Sequence, residues 1–136
     1  MIKNIYYLIV GILSILFSFT HALNGNNSIL RIVDLSNIDS ASKTTVFYVW
    51  HIITVENLLF GIIFIVMAFY KEQSKIKFTA WFIAIIITAR WLVILGSTLL
   101  RNVNAVTDTL VDSIAIFVFI TLIILGAIKK RRADLN

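Results

Sequence analysis

Four long apolar stretches separated by short polar segments set the pattern of the chain. They cover residues 5–23, 46–70, 78–100 and 107–128. Each is near the ~20 residues that an α-helix needs to cross the hydrocarbon core of a bilayer. Backbone N–H and C=O groups in hydrocarbon must be paired within their own segment, so each stretch is predicted to be a helix. The many β-branched residues would favour strands in water, but the length of the runs and the lipid setting override that preference. The fold predicted is an all-α membrane protein, a single domain forming a four-transmembrane-helix bundle.

The polar segments carry the orientation signal. Lys3 precedes the first span, Lys71, Lys75 and Lys77 fill the second link, and Lys129, Lys130, Arg131 and Arg132 follow the fourth span. The other two links hold Arg31, Lys43 and Arg101, offset by Asp34, Asp39 and Asp108. Lysine and arginine accumulate on the cytoplasmic side of short loops, so both termini are expected in the cytoplasm. The first stretch reads as a span and not as a cleaved leader. Its apolar run is longer than a leader core, and Thr20-His21-Ala22-Leu23 is a poor cleavage site. The link 24–45 opens with Asn24-Gly25-Asn26-Asn27-Ser28, a turn-forming cluster. Ser28 is expected to cap a short helix over 29–35, lying at the membrane interface or as a lid over the spans.

Composition agrees with this picture. Of the 136 residues, 60% are hydrophobic and 14% charged, against ~45–50% and ~25% in soluble domains. The net charge of +5 belongs to the span flanks, so no nucleic-acid partner is expected. There is no cysteine, which excludes disulfides and thiolate chemistry in this chain. There is no proline either, so no span loses a backbone donor. Usage rich in Ile, Asn and Lys suggests an AT-rich genome and the short, lean chain a bacterium, so a bacterial inner (cytoplasmic) membrane is expected.

The candidate chemistry lies in ionisable residues inside the spans. A charged side chain at a bilayer centre costs at least ~2.5 kcal/mol, and such residues mark functional sites by default. Glu56 lies about 15 Å from the start of the second span at the α-helical rise, and His51 about 7 Å. Arg90 falls near the middle of the third span and Asp112 about a turn and a half into the fourth. With alternating span directions, His21, His51, Asp108 and Asp112 fall toward the outer face, and Glu56 and Arg90 near the midplane. The inner half reads as an apolar floor. Two acids, Glu56 and Asp112, face one arginine, which leaves room for one proton, cation or positively charged ligand.

Helical spacing assigns faces. Tyr7, Gly11, Ser14, Ser18 and His21 form one stripe, whose small residues suit close helix packing. His51, Thr54 and Asn57 share a face of the second span, with Glu56 turned about 140° from His51. Asp108 and Asp112 stack four apart, Asp108 being also a candidate helix cap. Trp81 and Trp50 suit the membrane interfaces. Trp91 is too deep for that, and its indole N–H needs an acceptor.

No phosphate loop, nucleophile motif or dense metal-ligand spacing occurs. His21 and His51 are the only histidines and would be the only imidazole ligands for a haem or metal ion, so no cofactor is expected. Three functions fit. The first is transport or conduction of a small solute or ion, with proton or cation coupling, in a homodimer or larger complex. The second is an accessory or structural subunit whose polar cluster locks helix packing. The third is a membrane-embedded binding protein or enzyme for a lipophilic ligand. The candidate residues are Glu56, Arg90, Asp112, His51, Asn57, His21, Trp91, Thr54 and Asp108.

Overall fold

A computed structural model describes residues 1–129. The described residues are helical, with no strand. Helix α1 spans Ile5–Asn24, α2 Leu30–Leu35, α3 Ser40–Phe69, α4 Lys77–Arg101 and α5 Leu110–Ile128. A π-helical turn, Gly25–Ile29, joins α1 to α2, and a 3-10 segment, Val103–Thr109, leads into α5. Counting these joined segments, four helices among the described residues are long and apolar enough to cross a membrane: Ile5–Leu35, Ser40–Phe69, Lys77–Arg101 and Val103–Ile128. The protein is thus multi-pass in character. The first two helices, with 31 and 30 residues, are about 45 Å long. That exceeds a ~30 Å hydrocarbon core, so they must tilt or project beyond it.

The first link differs from the sequence-based expectation. The predicted turn at 24–28 does not form, and the helix continues through it. No proline interrupts the backbone there, and Asn and Ser can remain helical while their side chains bond locally. The Ser28 hydroxyl donates back to the Asn24 carbonyl and makes no N-cap. The true break is the linker 36–39. Ser36 is extended, and its hydroxyl donates to the Val33 carbonyl at 2.5 Å. Asp39 then starts α3. Its carboxylate accepts from the Ser42 backbone N–H at 2.9 Å and the Ser42 hydroxyl at 2.6 Å, which satisfies donors that a helix start leaves orphaned. The second span therefore begins well before residue 46.

The chain divides into two compact units. One comprises Gly11–Val66, in which α1 and α3 pack along a seam of small residues. The Ser14 hydroxyl donates to the Asn57 carbonyl and the Ser18 hydroxyl to the Thr54 carbonyl, both at 2.8 Å. Below them Gly11 and Gly61 face each other. A Cβ on either would sit 2.9 Å from the other's carbonyl oxygen. No glycine in the described residues has positive φ, so these two serve close backbone approach. The stripe read from the sequence is thus a packing seam.

The other unit comprises Met1–Val10 with Met67 onward. Here α4 packs on α5, burying Ala80, Ile83, Ala84 and Ile87 of α4 and Phe119, Ile123, Gly126 and Ala127 of α5. Tyr7 packs against Gly126, where a Cβ would collide with its ring.

Candidate functional site

Polar groups collect in both units. In the Gly11–Val66 unit the seam ends in an aromatic pair. The imidazole of His21 stacks on the indole of Trp50, with centroids 4.4 Å apart and planes 6° from parallel. The Trp50 Nε1–H donates to the His21 backbone carbonyl at 3.0 Å. Gly25, one turn beyond His21, is buried, and any Cβ there would run into the Trp50 ring. The indole therefore lies over helical backbone that only a glycine leaves bare. Trp50 is a seam residue that composition alone assigned to the interface. The signal was present: Gly25 extends the stripe Gly11, Ser14, Ser18, His21 by one further step of four.

The remaining polar groups of α3 fall around that seam. Thr54 and Asn57 present their carbonyls to α1. The Thr54 hydroxyl oxygen is buried without a hydrogen bond, whereas Thr88, Thr98 and Thr121 each donate to the carbonyl four residues back. A buried, unbonded hydroxyl costs about 1–3 kcal/mol. His51, next to Trp50 and so turned about 100° from it, packs edge-on against Phe47 with centroids 4.5 Å apart. Glu56 is half-buried. It stands about 24 Å from the start of α3 and about 20 Å from its end.

In the other unit Arg90, also half-buried, is close to the middle of α4. Its neighbour Trp91 has the acceptor that its depth demands. The indole N–H donates to the Ser113 Oγ at 2.9 Å, and that hydroxyl donates on to the Thr109 carbonyl at 2.7 Å. Phe117 packs edge-on against the same indole at 4.9 Å. Asp112 is exposed in the first turn of α5, where the helix dipole favours a negative charge. Asp108 is exposed in the 3-10 segment and does not cap α5, whose N-cap residue, Thr109, makes no side-chain cap bond. The 3-10 turn shifts the start of the α-helix past Asp108.

Sequence reasoning overlooked Asn4 and Gln73. Asn4 is buried. Its amide donates to the Gln73 Oε1 at 3.0 Å and to the Gly126 carbonyl at 2.9 Å. For a metal, no group of three or more His, Cys, Asp or Glu residues comes together among the described residues. His21 and His51 would supply two ligands at most, and His21 is already stacked on Trp50. Compared with protein-family models, curated proteins and solved structures, the chain matches none of them.

Proposed function

We propose that the protein carries or conducts a small solute or ion across a bacterial cytoplasmic membrane, with proton or cation coupling through Glu56. The observation that carries this reading is the place of Glu56, a half-buried carboxyl about midway along a helix apolar enough to span a membrane. Close packing does not require such a group. The α1–α3 seam is built from Gly11, Gly61, Ser14 and Ser18 without any charge. A carboxyl at that depth costs a few kcal/mol on insertion, and proton exchange gives a reason for keeping it. Arg90, midway along α4, is the second mid-span charge. His51 and Asn57, both half-buried on α3, would offer polar contacts to the passing species. Asp108 and Asp112 are exposed near the start of α5. The basic flanks support cytoplasmic termini. Four helices enclose little volume, so the pathway would form in a homodimer or larger assembly.

The test is flux in proteoliposomes under an imposed pH gradient. Wild-type protein should show proton-linked flux, Glu56→Gln should abolish the coupling, and Glu56→Asp should retain part of it. Equal flux in wild type and a folded Glu56→Gln variant would overturn the reading. The Trp91–Ser113 bond and the Trp50–His21 stack favour a second reading, an accessory subunit whose polar groups lock packing. In that case Glu56→Gln would lower the melting temperature and leave no flux to lose.

A further inference from the structure

Three segments far apart in sequence meet at one end of the unit built from Met1–Val10 and Met67 onward. Asn4, 1% exposed, is the node. Its side-chain amide binds Gln73 and the Gly126 carbonyl. The backbone N–H groups of Lys3 and Asn4 both donate to the Ala68 carbonyl, at 2.8 and 3.1 Å. Gln73 in turn donates to the Met67 carbonyl at 3.0 Å and the Tyr70 carbonyl at 2.7 Å. The node thus ties the N-terminal segment to the end of α3, the link 70–76 and the end of α5.

The N-terminal segment, the link 70–76 and the residue after α5 each carry lysine. Lys71 lies two residues before Gln73, Lys3 precedes Asn4, and Lys129 follows α5, where its ammonium reaches the Lys3 carbonyl at 3.4 Å; Lys77 opens α4 just beyond the link. Glu72 lies within the same link, but Lys75 engages it at 2.6 Å. Lys71, Lys77 and Lys129 remain exposed. In sequence the next three residues are Lys130, Arg131 and Arg132, of the same sign.

We propose that this end of the unit is a docking surface for the anionic headgroups of phospholipids. The lysines sit where apolar helices end, at the level a headgroup occupies. Basic residues clustered next to a span attract anionic lipid, and a flexible ammonium suits a phosphate as a point charge. Orientation bias alone needs only lysines on the correct side. Here the buried amide of Asn4 also ties together the segments that carry Lys3, Lys71 and Lys129.

Native mass spectrometry of the detergent-solubilised protein, given equal phosphatidylglycerol and phosphatidylcholine, tests this. Wild type should retain phosphatidylglycerol preferentially. Each lysine near an anionic surface contributes roughly fivefold in affinity, so Lys71→Gln, Lys77→Gln and Lys129→Gln together should weaken retention about a hundredfold. Gln73→Leu keeps every lysine but cuts the bond to Asn4, and should reduce the preference several-fold. Arg31→Gln with Lys43→Gln, in the first link, should leave it unchanged. The proposal is overturned by equal retention of both lipids, by a triple variant that keeps the preference, or by an equal loss in the first-link variant. Competition by millimolar inorganic phosphate would also overturn it, by assigning the patch to the free anion.

Discussion

Replacing three glycines by alanine, one at a time, separates packing from helix propensity in this chain. At Gly11 the new methyl would lie 2.7 Å from the Ile65 Cγ1 and 2.9 Å from both the Gly61 carbonyl oxygen and the Ile65 backbone nitrogen. At Gly61 it would lie 2.5 Å from the Ile15 Cγ1, 2.9 Å from the Gly11 carbonyl oxygen and 3.0 Å from the Ile15 nitrogen. Two of the three obstacles at each site are backbone, so a rotamer change cannot relieve them and the helices must separate. Overpacking of this kind costs about 1–3 kcal/mol. Separation also stretches the Ser14 and Ser18 bonds to α3, each worth about 0.6 kcal/mol in a membrane protein. Against this, alanine gains up to about 1 kcal/mol over glycine in helix propensity. The net expectation is a loss of about 1–3 kcal/mol for Gly11→Ala and for Gly61→Ala. A methyl on Gly96, in α4, would meet nothing within 4 Å. There the propensity term acts alone, and Gly96→Ala should be neutral to about 1 kcal/mol more stable. Unfolding in mixed micelles with rising dodecyl sulfate, followed by far-ultraviolet circular dichroism, measures all three. If Gly11→Ala and Gly61→Ala unfold at the wild-type midpoint, or if Gly96→Ala is destabilised as much as they are, the close-packed seam is refuted.

Two further outcomes follow from the same unit. Gly25→Ala places a methyl inside the Trp50 ring position and should expel the indole from its stack on His21. In a background where Trp81 and Trp91 are both replaced by Phe, Gly25→Ala should shift the remaining tryptophan emission to the red, and an unchanged spectrum would contradict the stack. The second concerns Asp39, whose carboxyl is held below its ordinary value of 3.8 by the side-chain and backbone hydrogen bonds from Ser42. A carboxyl lowered on folding stabilises the folded state above its unfolded pKa, and that contribution fades as pH falls through the lower folded value. Amide exchange in the first turn of α3 should therefore quicken, relative to the intrinsic rate, below about pH 4 in wild type, and in Asp39→Ala it should already be fast at neutral pH. Equal exchange in the two proteins at neutral pH would show that Asp39 does not cap the helix.

The spans were legible in the sequence because hydrocarbon leaves the backbone one choice. A run of some twenty apolar residues can satisfy its own N–H and C=O groups only as a helix. The seam was legible in part for a similar reason. Small residues repeating at steps of three and four must share a face, so Gly11, Ser14 and Ser18 announced a close approach, though not its partner. The start of α1, both ends of α4 and the ends of α3 and α5 were read to within a residue, but the helix ends around the first link were not. The cluster 24–28 has the composition of a turn, yet Gly25 is there to admit Trp50, and the backbone absorbs the mismatch as a π-helical turn. A glycine that leaves room for another helix and one that supplies a positive φ look alike until the opposing side chain is known.

Asn4 shows the same limit from the polar side. Hydropathy places it with the solvated residues before the first span, and by length and composition nothing distinguishes it from Asn102 or Asn104. What buries it is the convergence of the Gly126 carbonyl, Gln73 and the Ala68 carbonyl, all remote in sequence and the farthest of them 122 positions away. Such a contact is set by the packing of α5 and the link, which no local window contains. The energetic consequence is that removing the side-chain amide takes the donor from both the Gln73 Oε1 and the Gly126 carbonyl at once. Asn4 should therefore tolerate substitution less well than Glu72, which is also polar but whose bond to Lys75 is exposed on both sides and worth little. Thermal melts of Asn4→Leu and Glu72→Gln in the same detergent compare the two directly. A larger loss for Glu72→Gln would show that the buried node does not hold the N-terminal segment in place.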